Sequence, residues 1–268
     1  MHLATSEFRF VLLTPCFSGT AEGREATHSE LRVPPIRGHI RFWHQAAFGM
    51  DSANRVWGST SGNEGQGSRV AVRILSGTAP SRLPAQLLPH KSHGQGSRAA
   101  LPAGATASLQ LQSLPACTND DWAKADASTK LWLLAGTLGY RANRAAGSVW
   151  PEEKWTPKSR EELAHLLAPL IARPVQPWGA ALVAESANKP WSDLREAASD
   201  TPMGPPHLFG NAQLRKPSPV RFKVIRLTSG LCLLVVVPSK NSIKEAERAL
   251  KSKPDPHRWN DLDDWRFL

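Results

Sequence analysis

Apolar and polar positions alternate along residues 7–14 (EFRFVLLT), which predicts a strand with Phe8, Phe10 and Leu12 on one face and Arg9, Val11 and Leu13 on the other. Pro15 ends it, and a polar loop over 16–35 closes on Pro34-Pro35. The period then becomes helical. Ile36, Ile40, Trp43 and Ala47 share a face, so a helix is expected over 36–49, with Gly49 as its stop. Alternation returns at 69–75 (Val70, Val72, Ile74) and at 106–114 (Leu109, Leu111), predicting two more strands. Between them, 76–105 is rich in Pro, Gly, Ser and His and reads as a long mobile loop. A second helix is expected over 126–139, capped by Asp126 or Ser128, and then a short strand over 148–150. Strand, helix, strand, strand, helix, strand is the ferredoxin-like order.

The second half repeats the signals more weakly. Helices are expected over 158–172, 190–199 and 243–253, and strands over 179–186, 219–227 and 231–237; the tail 257–268 is left unassigned. Val220, Phe222 and Val224 alternate with Arg221 and Lys223, whose face is expected to be exposed. The fold class is therefore α+β, with two ferredoxin-like (RRM-like) domains at 1–150 and 151–268, the second degenerate.

Charge changes the picture. The 268 residues carry 33 Lys and Arg against 23 Asp and Glu, a net charge of +10, which favours a polyanionic partner. No acidic residue lies between Glu64 and Asp120, or between Asp200 and Glu245, while arginines and lysines recur in both windows. Long basic windows free of acids suit phosphate contact. Cys16, Cys117 and Cys232 are odd in number and far apart, so neither a metal site nor a disulfide framework is expected. The start lacks a signal-peptide pattern, and the longest apolar run, 231–237, is too short to span a bilayer. A cytoplasmic protein without membrane association, cofactor or metal is the expectation.

Three segments carry the candidate chemistry. In 23–49, a loop delivers Arg32 and a rigid Pro-Pro turn onto a helix bearing Arg37, Gly38 and Arg41; Arg37 and Arg41 are four apart and point the same way. In GTLGYRANRAAG, Gly136, Gly139 and Gly147 are expected to allow close approach of a ligand backbone, and Arg141 and Arg144 to fork onto phosphates. In 209–224, Arg215 leads into a strand showing Arg221 and Lys223. Arg37, Arg41, Arg141 and Arg144 are expected to line one groove, with Phe42, Trp43, Tyr140 or Phe222 available to stack on a splayed base.

Together LTPCFSG, ELRVPPIRGHIRFWHQAAFG and RVWGS resemble the RAMP superfamily, and within it the first subunit of Cmr-type (type III-B) CRISPR effector complexes. GTLGYRANRAAGSVW is similar to that family's glycine-rich loop, though Thr137 and Ala145 stand where Gly is expected, and LRKPSPVRFKV resembles the opening of its second domain. The resemblance implies a RAMP fold and a place at one end of an effector filament beside other RAMP subunits. It implies contact with the crRNA 3′ region or the guide–target RNA duplex, and no nuclease activity. By matching motif, Arg32, Arg37, Arg41, Arg141 and Arg144 would face RNA, joined by Arg215, Arg221 and Lys223.

The alternative is a metal-independent endoribonuclease that processes CRISPR RNA. Such chemistry needs a general acid and base, commonly His, beside the scissile phosphate. His28, His39 and His44 lie near the basic segments, but His39 and His44 diverge on their helix.

Overall fold

β1 (Thr5–Leu12) pairs antiparallel with β5 (Thr106–Ser113) on one side and with β6 (Val149–Pro151) on the other, and β2 (Val70–Gly77) adds to the outer edge of β5. The sheet order is thus β2-β5-β1-β6, the ferredoxin-like permutation. These relations come from a computed structural model that describes residues 3–20, 27–60, 65–89, 96–185, 189–199, 205–211, 214, 216–252 and 265–268. Phe8, Phe10 and Leu12 enter the core, as their alternation requires. α1 (Val33–Phe48) and α3 (Asn119–Ala135) pack together, with Ile36, Ile40, Trp43, Leu131 and Trp132 buried.

Three boundaries differ from expectation for identifiable reasons. α1 starts three residues early because Pro34 and Pro35 sit in its first turn, where a missing N–H breaks no intrahelical bond. α3 starts at Asn119 rather than 126, because Thr118 and Asp121 form a capping box, each side chain accepting from the other's backbone N–H. The expected 158–172 helix divides into α4 (Arg160–Leu166) and α5 (Ala168–Ile171), with Pro169 in the first turn of the second. A short helix, α2 (Met50–Trp57), follows α1 directly after Gly49.

The expected mobile loop 76–105 holds structure. β3 (Pro84–Gln86) and β4 (Ser97–Ala99) pair antiparallel, and bridges Ser29–Ser81 and Cys16–Leu101 stitch the insert to the loop after β1.

The second sheet runs β10-β7-β9-β8, from β7 (Gly179–Glu185), β8 (Arg221–Leu227), β9 (Gly230–Val237) and β10 (Arg266–Phe267). In chain order this is fourth, first, third, second, the same permutation as in the first sheet. α6 (Trp191–Ser199) and α7 (Pro206–Phe209) connect β7 to β8, and α8 (Lys240–Lys251) follows β9. β10, in the tail left unassigned from sequence, is two residues long, which fits the expected degeneracy.

The two sheets share one continuous core. Residues 143–145 lie along β8: the Phe222 N–H donates to the Asn143 carbonyl (3.3 Å) and the Ala145 N–H to the Phe222 carbonyl (3.1 Å). Trp178, just before β7, packs on Phe42 and Trp43 of α1.

Candidate nucleic-acid interface

Arg37 and Arg41 project from α1 into a cleft of about 520 Å³, lined also by Asn54, Trp57, Gly58, Ser59, Thr60, Gln66 and Ser68. The Arg37 guanidinium donates to the Trp57 carbonyl, and Arg41 to Asn54 Oδ1 at 2.5 Å. Both anchors are neutral, and no carboxylate is among the described residues lining the cleft. Each guanidinium is positioned by a neutral partner, with no carboxylate among the described lining residues, an arrangement that suits phosphate recognition. Other arginines are committed elsewhere. Arg55 and Arg69 bind Asp121, and Arg32 lies 3.7 Å from Glu30. Gly38 is exposed, with open space where a Cβ would stand.

The glycine-rich loop does different work from that expected. A Cβ on Gly136 would strike Trp132 and Trp43, one on Gly139 would meet the Phe17 carbonyl, and one on Gly147 the Leu138 carbonyl. At these three positions the chain packs tightly against its own backbone and side chains. Arg144 is turned inward: it donates to the Phe209 carbonyl (3.1 Å), its guanidinium lies 5.6 Å from the Phe222 ring centre, and burial lowers its pKa to about 10. Neither Arg141 nor Arg144 lines the cleft that Arg37 and Arg41 share. Arg141 is exposed.

Two residues of this loop take left-handed backbone without being glycine, Arg141 (φ 59°) and Ala145 (φ 58°). Ala145 is one of the positions where the resemblance leads one to expect Gly, and the conformation costs an L-residue about 1 kcal/mol. Ala145→Gly is therefore expected to leave stability unchanged or raise it by up to about 1 kcal/mol, despite the entropy glycine adds to the unfolded chain. Chemical denaturation checks this; a clear loss would show that the buried methyl outweighs the strain.

The basic face expected on β8 is corrected by the structure, because both faces of the strand are covered. Lys223 is fully buried and its Nζ donates to the Leu133 carbonyl at 2.6 Å. That carbonyl belongs to the last turn of α3, where carbonyls lack helical partners and the dipole is negative. Burial drives the Lys223 pKa well below its ordinary value. The Arg221 guanidinium stands over the Phe42 ring, 4.1 Å from its centre, and donates to Asn143 Oδ1 at 2.8 Å. Arg144, Arg221 and Lys223 thus join the two sheets. Alternation had marked two faces correctly, but it carries no information on which face a second domain covers. Arg215 lies outside the described residues.

The histidines offer little for acid–base work. Burial, then Arg221, lowers His39 to about 4. Burial, then Lys124 and Arg55, lowers His44 to about 4, with Nε2 2.9 Å from Ser52 Oγ. His28 sits 4.0 Å from Glu30.

A second cleft, about 570 Å³, went unread in the sequence. Phe17, Ser18, Gly19, Thr27, His28, Arg82, Ser97, Arg98, Ala99 and Tyr140 line it. They come from the loop after β1, the β3–β4 insert and the glycine-rich loop. The available signal was the exposed-type pair Arg82 and Arg98 inside an acid-free window that also carries strand-forming residues.

Two tandem ferredoxin-like sheets, with two cationic clefts lined by residues of the first half, make up the described fold. This is the fold of Cmr1 from Pyrococcus furiosus, solved in its apo form: TM-score 0.59 and 17% identity, over 88% of this chain and 87% of that one. A chain of the type III-B Cmr-beta complex bound to cognate target RNA and AMPPnP, in the presence of ssDNA, matches at TM-score 0.57 and 10% identity, over 94% and 98%. Another, from Cmr-beta bound to cognate target RNA, matches at 0.50 and 9%, over 88% and 94%. At such identities the likeness is one of fold. No family model and no curated protein matches the sequence. No helix among the described residues is long and apolar enough to cross a membrane.

Proposed function

We propose that this chain is a non-catalytic RNA-binding subunit of a type III CRISPR effector complex. Its RNA would be the crRNA 3′ region, the guide–target duplex, or both, and its neighbours other RAMP subunits. The observation that carries the reading is the Arg37–Arg41 cleft, where two guanidinium groups are held by neutral partners with no carboxylate among the described lining residues. The shared fold with Cmr1 and with chains of RNA-bound Cmr-beta supports it. Recognition through phosphates would be insensitive to sequence. The endoribonuclease alternative draws no support from His39 and His44, which burial keeps neutral at physiological pH.

The test is binding of a fluorescently labelled single-stranded RNA across a salt series. For a single strand, each phosphate contact contributes about 0.7 to the slope of log affinity against log salt. The double variant Arg37→Ala with Arg41→Ala is expected to bind at least about tenfold more weakly, with a slope flatter by about 1.4. An unchanged slope would remove this cleft from the interface.

A further inference from the structure

The second cleft presents an exposed aromatic ring, whereas Trp57 in the lining of the first is buried. Tyr140, the chain's one tyrosine, is 59% exposed although it is a large aromatic side chain. The Arg98 guanidinium stands 5.5 Å from its ring centre. Phe17 lies deeper, buried, and its ring is backed by Arg195, 5.2 Å away. Arg195 is itself tied to the Leu87 carbonyl (3.1 Å), which fixes that wall. Arg82 and His28 complete the lining with Ser18, Thr27 and Ser97, and no carboxylate is among the described lining residues.

Each part has a match in one ligand chemistry. An exposed aromatic ring beside a guanidinium offers a face for a flat heteroaromatic ring, and both groups stack on nucleobases whatever their identity. Hydroxyls and an imidazole at the walls suit base edges and a 2′-hydroxyl. Arg82 suits the attached phosphate. The volume is in the range of small-molecule sites and exceeds what one base needs. A continuous A-form duplex would leave Tyr140 without a partner, because its bases are already stacked.

We infer that this cleft accepts one unpaired nucleotide of a bound RNA strand, its base splayed onto Tyr140 beside Arg98. The inference rests on the RNA-binding reading but uses a different site from the Arg37–Arg41 cleft. It adds a base-dependent contact to a phosphate-dependent one.

The full chain is titrated by fluorescence anisotropy with three probes: a labelled twelve-nucleotide oligo(A), a backbone of equal length lacking bases, and a duplex of that length. Tyr140→Leu, an exposed position outside the core, is expected to weaken oligo(A) binding about tenfold. It should leave the abasic backbone and the duplex within twofold, while Tyr140→Phe retains wild-type binding. Arg98→Ala is expected to weaken oligo(A) several-fold more than the abasic backbone. Equal losses on oligo(A) and the abasic strand would overturn the base contact. So would no loss on oligo(A) for Tyr140→Leu while the Arg37 and Arg41 double variant still loses affinity; the phosphate reading would then stand alone. Wild-type protein that binds none of the probes would instead overturn the RNA-binding reading beneath both.

Discussion

Gly147→Ala is expected to cost about 3–5 kcal/mol of folding stability, through strain and overpacking together. Gly147 has φ 60°, a region L-residues enter at a cost. The larger difficulty is space. A Cβ there would stand 2.0 Å from the Leu138 carbonyl oxygen and 3.2 Å from Cys16 Sγ. The carbonyl cannot swing aside freely, because the two segments are tied across this point: the Leu138 N–H donates to the Gly147 carbonyl (2.8 Å), and the Gly147 N–H to the Pro15 carbonyl (2.9 Å). Relief must displace the loop, and the loop carries Asn143, Arg144 and Ala145 onto β8. The loss should therefore appear as weaker coupling between the two sheets as well as a lower denaturation midpoint. Gly38→Ala is the matched control. Its Cβ would meet nothing within 4 Å on an exposed helical face, so stability should rise by about 0.5–1 kcal/mol. Equal behaviour of the two variants in guanidinium unfolding would refute the steric argument.

Asp121→Ala is expected to cost about 3 kcal/mol at neutral pH. The Asp121 side chain is 1% exposed and gathers three elements: it accepts from Arg55 of α2 at 2.9 Å, from Arg69 just before β2 at 2.8 Å, and from the Thr118 N–H at 3.3 Å. Its removal abolishes half of a capping box, itself worth about 1 kcal/mol, takes the counter-charge from Arg69 and leaves Arg55 facing Asp120 at 3.9 Å. Arg55 and Arg69 are 39% and 25% exposed, so water compensates part of that loss, which holds the figure at the lower end for a broken buried pair. The pH dependence follows from the carboxyl's environment. Burial alone would raise its pKa, but the bonds from Arg55, Arg69 and Thr118 outweigh burial and hold it well below the ordinary carboxylate range. A depressed folded-state pKa means the unfolded chain takes up the proton first. The contribution is thus complete above the unfolded value of about 3.9 and declines as pH falls below it toward the folded value. Asp121→Asn keeps the shape without the titration. The stability difference between wild type and Asp121→Asn should shrink from pH 6 to pH 3, and a constant difference in guanidinium melts at pH 6, 4 and 3 would contradict the linkage.

Much of the first domain was legible along the chain. The alternation of Phe8, Phe10 and Leu12 and the helical spacing of Ile36, Ile40 and Trp43 report which side of each element is apolar, and those sides are the buried ones. The start of α3 was also written in the sequence, as Thr118 three residues before Asp121, but the later Asp126 and Ser128 have the same chemistry and compete as caps. The β3–β4 pair was not legible, since three-residue strands show no period and gain stability only from neighbours such as the Ser29–Ser81 and Cys16–Leu101 bridges.

The candidate site divides along the same line. Arg37 and Arg41, four apart on one helix, share a cleft because helical geometry alone places them together. Arg141 and Arg144 are close in sequence yet diverge, one exposed and the other inward, because a left-handed residue at 141 turns the chain between them. Tyr140, Arg98 and Arg82 meet only where the insert folds back on the loop after β1.

The sequence by itself determined the order of elements, the apolar side of the principal strands and helices, and the excess of positive charge, since each depends on residues near one another in the chain. The tertiary structure decided which cations remain available. A strand shows the same alternation whether its second face meets water or another sheet, so only the docking of the two sheets could bury Lys223 and tie Arg144 to the Phe209 carbonyl, while Arg37 and Arg41 line a cleft of the first half.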